Sequence, residues 1–125
     1  MSTSVLLYNF SDGERLGKIR RYLNKEHISI CMVTAPEFLH PLGYLFHMNG
    51  FDRNPVFNFG QNFTDEMMVL KDFSGKQMDD FLGFFPRENL PPVKLKAILT
   101  PVTVHWNSIQ LHDELTKEHQ MMHKK

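Results

Sequence analysis

Cysteine is almost absent: Cys31 stands alone among 125 residues, within the apolar run 28–33. One cysteine cannot close an internal disulfide, so a disulfide-held fold is excluded and a reducing compartment is expected. In an apolar run it reads as a small buried hydrophobe. Charge of one sign is missing too, with fourteen Lys and Arg against fourteen Asp and Glu. Nucleic-acid binders draw most of their affinity from a basic surface, so the balance argues against that partner. The local basic cluster of Lys18, Arg20, Arg21 and Lys25 lies near Glu14 and Glu26 on one expected helix, which reads as a solvated face. No apolar run reaches the ~18–20 residues of a membrane span. The first four residues show neither the basic nor the apolar part of a secretory signal. A cytoplasmic protein without a membrane partner is therefore expected.

Motifs that announce chemistry are also lacking. Neither glycine-rich phosphate loop is present, and neither the G-x-S-x-G nucleophile elbow nor H-E-x-x-H occurs. No catalytic residue and no cofactor is expected on those grounds. Histidines are numerous, seven in all, and His112, His119 and His123 share the last expected helix. Three ligands spread over that length cannot reach one ion at a rise of ~1.5 Å per residue, so no metal site is expected.

What is present is a globular composition, 42% hydrophobic and 22% charged, in a chain long enough for one core and short for two. A single α/β domain is expected over 1–125. Residues 5–8, 28–33, 67–70 and 94–99 read as strands. Ser11 with Glu14 and Ser74 with Gln77 have the spacing of capping boxes, in which the hydroxyl and the longer side chain satisfy each other's backbone amides. Leu16, Ile19 and Leu23 follow the first, and Met78, Phe81, Leu82 and Phe85 the second, at helical spacing. Pro86 should end that helix. A short helix is expected over 41–48, opened by Pro41. Asn107 with Gln110 should cap the last helix, with Leu111, Leu115 and Met122 as its core stripe.

The order β-α-β-α-β-α-β-α points to a small, mainly parallel four-stranded sheet with helices on both faces. The runs 5–8 and 67–70 are nearly all apolar and belong in the centre. Lys94 and Lys96 mark the fourth strand as an edge. Order 2-1-3-4 follows. The halves 1–62 and 63–125 echo each other, with Phe10-Ser11 and Phe73-Ser74 each following a strand.

The stretch Leu95-Lys-Ala-Ile-Leu-Thr-Pro101, with Trp106, Leu111, Glu114 and Leu115 after it and Phe73-Ser-Gly75 before it, resembles the bacterial family known as domain of unknown function 3783. The resemblance covers about residues 66–119, and Thr103 stands where members often have asparagine. It implies a small cytoplasmic protein and brings no activity, substrate or catalytic residue.

In open parallel sheets, ligands bind beyond the carboxyl ends of strands where the strand order reverses. Here that place would lie between strands one and three. Its candidate binding residues are Asn9, Ser11 and Asp12 on one side and Asp72, Ser74 and Lys76 on the other, with free helix amides available to an anion. The aperiodic segment 50–64 is longer than most loops and carries Phe51, Phe57, Phe59 and Phe63. These are expected either to cover their own core or to form a contact between subunits. The residues favour a non-catalytic binding or protein-interaction module, self-associating, over a small enzyme or an anion or metabolite sensor in the strand-end crevice.

Overall fold

The computed structural model describes residues 3–11, 13–56, 58, 60 and 62–122. Its elements are β1 (Ser4–Tyr8), α1 (Gly13–Lys25), β2 (Ser29–Val33), α2 (Leu42–Leu45), β3 (Met67–Lys71), α3 (Gly75–Arg87), β4 (Leu95–Ile98) and α4 (Ser108–Met122), with short helical turns at Ala35–Glu37 and Thr103–His105. The strand order is β2-β1-β3-β4, as expected.

Sheet direction departs from the expectation at one pair. β1 runs parallel to β2 and β3 parallel to β4, but β1 and β3 are antiparallel. A parallel β3 would require the chain to return along the sheet after β2. The long connection between β2 and β3 instead leaves the chain at the end where β1 finishes, and it enters β3 in the opposite direction, so Tyr8 lies beside Met67 and Met67 beside Leu95. Two units with the same element order result, joined through the β1–β3 pair. Their turns match: Asn9 (φ 62) and Asp72 (φ 63) follow β1 and β3, and His27 (φ 59) and Asn89 (φ 57) follow α1 and α3. Asn and Asp tolerate this left-handed conformation better than most residues.

Strand alternation splits the core into two layers. Leu6, Tyr8, Val33, Met67, Val69 and Leu95 face Phe38, Leu42, Leu45 and Leu111. On the other face Val5, Leu7, Met68 and Leu70 meet Ile19 and Leu23 of α1 and Phe81, Phe84 and Phe85 of α3. The central strands are buried almost throughout and the outer ones are not.

Two of the three expected capping boxes form. Ser74 Oγ accepts from Gln77 N at 3.1 Å, and Gln77 Oε1 accepts from Ser74 N at 2.8 Å. Asn107 and Gln110 form the same reciprocal pair. The Ser11–Glu14 box does not form among the described residues, where α1 is given from Gly13. α3 runs one residue past Pro86, because a proline in the last turn forfeits a single backbone bond. Ser74→Ala should lower the unfolding free energy by about 1 kcal/mol, read from a urea titration. Ser11→Ala should lie within error of wild type.

Candidate functional site

The antiparallel β1–β3 pair separates the two loops of the expected crevice, since β1 and β3 finish at opposite ends of the sheet. Asn9, at the first end, donates through Nδ2 to Phe63 O at 3.0 Å and to Asp65 O at 2.9 Å, fastening the segment that leads into β3. Ser11 is exposed, and Asp12 lies outside the described residues. At the far end Asp72 Oδ2 pairs with Lys71 Nζ at 2.8 Å, while its carbonyl accepts from Thr3. Ser74 is the α3 cap. Lys76 pairs with Asp80 at 2.9 Å, and that hydrogen bond raises the ammonium's pKa. Among the described residues no common crevice joins the two sets.

The phenylalanines of the aperiodic segment divide likewise. Phe63 is buried, 9% exposed, stacked on Phe38 at 4.6 Å and on the His112 ring at 4.0 Å. It is core rather than subunit surface. Half-buried Phe51 lies over α2, where a Cβ on Gly43 would come within 2.6 Å of its ring, and packs beside His105 at 5.3 Å. Phe57 and Phe59 lie outside the described residues.

What gathers at the end where β1 finishes is a different set. Arg15, in the first turn of α1, is only 6% exposed. Its Nη1 donates to Glu66 Oε1 at 2.6 Å, and Nε and Nη2 donate to Pro91 O at 3.2 and 3.0 Å. The Phe10 ring lies 5.4 Å from the guanidinium carbon, within cation–π range. A buried guanidinium is tolerable only when paired and hydrogen-bonded. Here it ties α1 to the residues leading into β3 and to the α3–β4 loop. Sequence reading missed Arg15, yet a signal was present: it falls in phase with Ile19 and Leu23 on the buried stripe of α1.

Beside this arginine opens a cleft of about 540 Å³. Pro91, Pro92 and Leu95 give it an apolar wall, and Asp65, Lys94 and His119 stand among its polar lining. Asp65 Oδ2 lies 2.8 Å from His112 Nε2, so that histidine is engaged by a hydrogen-bonding contact. Among the described residues no three His, Cys, Asp or Glu side chains cluster as metal ligands; His123 lies outside them. Elsewhere, Tyr8 Oη and Ser108 Oγ share a buried hydrogen bond of 2.7 Å that fastens α4 to β1, and burial pushes the phenol pKa up. Burial likewise raises the Cys31 thiol, which keeps it a poor nucleophile. No described helix is long and apolar enough to cross a membrane.

These features define a small α/β domain of two β-α-β units, with a mixed-charge cleft where the units meet. Residues 66–122 match the family model described as Domain of unknown function (DUF3783); the match coincides with the second unit. No curated protein and no solved structure matches the chain.

Proposed function

We propose that the chain is a non-catalytic binding module whose small-molecule site is the cleft beside Arg15. The observation that carries this reading is a cleft of about 540 Å³ walled by side chains already held in place. Ligand pockets commonly span about 300–1,000 Å³, with apolar walls and a few fixed polar groups. Binding is favoured over catalysis because the carboxylates suited to act as acid or base are engaged, Glu66 by Arg15 and Asp65 by His112. Lys94, exposed at the rim, forms no ion pair among the described residues. A ligand with an acidic group for Lys94 and an apolar body for Pro91, Pro92 and Leu95 fits this lining.

Native mass spectrometry of the chain purified from its expressing cells tests the proposal, alongside thermal melts with a series of aliphatic carboxylates. A ligand at about a hundred times its dissociation constant should stabilise the fold by about 2.7 kcal/mol. Thr116→Trp, which fills the cleft from α4, should remove that stabilisation while leaving the circular dichroism unchanged. If no co-purified mass is found and no carboxylate stabilises saturably, the cleft is not a binding site of this kind.

A further inference from the structure

The two edges of the sheet differ. β4 carries exposed Lys96 and is preceded by exposed Lys94, charges of the sort that keep other strands off an edge. β2, with sequence SICMV, has no charge and no proline, and no described strand pairs with its outer side. The register shows which backbone groups are offered there. Ser29 N donates to Thr3 O at 3.0 Å, and a strand's N–H and C=O groups alternate in side from residue to residue. Ser29, Cys31 and Val33 therefore point these groups at β1, and Ile30 and Met32 point theirs away from the sheet. The Met32 side chain is 38% exposed.

Alongside this edge, between the second half of α1 and the start of β2, runs an open groove of about 460 Å³ lined by Arg20, Asn24, His27, Ile28, Ser29 and Ile30. No carboxylate lines it. Arg20 is exposed and forms no ion pair among the described residues. Arg21 and Lys25 are exposed on the same helix.

We infer that the outer edge of β2 docks an extended acidic segment of a partner protein, which adds to the sheet as a fifth strand. Strand addition draws affinity from main-chain hydrogen bonds and specificity from the side chains beside them. The backbone groups of Ile30 and Met32 supply the first, and Arg20 in the groove supplies the second. Charge complementarity selects this occupant over a second copy of the chain. A neighbouring β2 would bring no carboxylate of its own and would set two cationic grooves together. This surface is separate from the Arg15 cleft and does not depend on its reading.

The probe is a blocked heptapeptide of alternating glutamate and valine, added to the full chain and followed by backbone amide exchange. Saturable binding with slowed exchange at Ile30 and Met32 is expected, and a peptide with lysine in place of glutamate should not bind. Arg20→Glu should weaken binding by roughly tenfold or more. Met32→Pro should abolish it, since a proline is tolerated where the missing N–H faces outward from an edge. Circular dichroism checks that both variants fold, and Arg20→Glu decides alone if the proline variant does not. Equal binding of the lysine peptide, protection away from β2, or no saturation at millimolar peptide would overturn the inference. So would a chain that sediments as a dimer with Ile30 and Met32 already protected, which would make the occupant a second copy.

Discussion

Phe63→Ala should lower the unfolding free energy by about 3–5 kcal/mol, the usual cost of truncating a buried phenylalanine, with no change in sedimentation. The ring lies between two others, Phe38 on one side and His112 on the other, with Tyr8 at 5.8 Å. Its removal leaves a void in the layer beneath α4 and frees the imidazole that holds Asp65. Those neighbours come from β1, α4 and the turn after β2, so they cannot collapse together without moving the elements that carry them. A denaturant titration gives the stability and analytical ultracentrifugation the assembly. A variant of unchanged stability that sedimented differently would assign Phe63 to a subunit contact instead.

Arg15→Met should cost about 2–3 kcal/mol. Breaking a buried ion pair by removing one partner commonly costs about 3–5 kcal/mol. Here Glu66 keeps 31% of its side-chain exposure, so water recovers part of the loss and the lower figure applies. The Pro91 carbonyl loses both of its arginine donors, which adds the desolvation of an unsatisfied acceptor. Methionine retains most of the apolar stem and isolates the polar contribution. Adding Glu66→Gln to Arg15→Met should restore part of the stability, because the double variant no longer strands a carboxylate. A single-variant loss below the error of the titration would show that the clamp does not hold the two units together. Arg15→Lys should fall between methionine and wild type: one ammonium cannot make the forked contact to Glu66 and Pro91 at once.

Much of the fold was legible without coordinates, where local chemistry decides it. The apolar runs of β1 and β3 and the lysines beside β4 placed the strands in their spatial order. Burial on both faces admits only apolar side chains, and an edge tolerates charge. Ser74 with Gln77 and Asn107 with Gln110 marked helix starts correctly, because a capping box is closed by residues three apart and needs nothing from elsewhere. Ser11 with Glu14 has the same spacing and does not close: whether such a pair caps depends on where the turn after the strand delivers the chain.

Tertiary structure alone decided the direction of β3, and the site followed from it. Strand direction depends on whether the chain between β2 and β3 crosses the length of the sheet, and the aperiodic segment there carries no periodicity to settle this. With β3 reversed, Asn9 meets the residues leading into β3 and Asp72 is carried to the far end. The burial of Phe63 rests on neighbours distant in the chain. Arg15 lies on the apolar stripe of α1, where Glu66 and the Pro91 carbonyl, brought from the second unit, help make a guanidinium tolerable. Short-range hydrogen bonds and the two-residue period of a strand can be read along a chain. The cleft is made by contacts between its two halves, and those exist only once the units have docked.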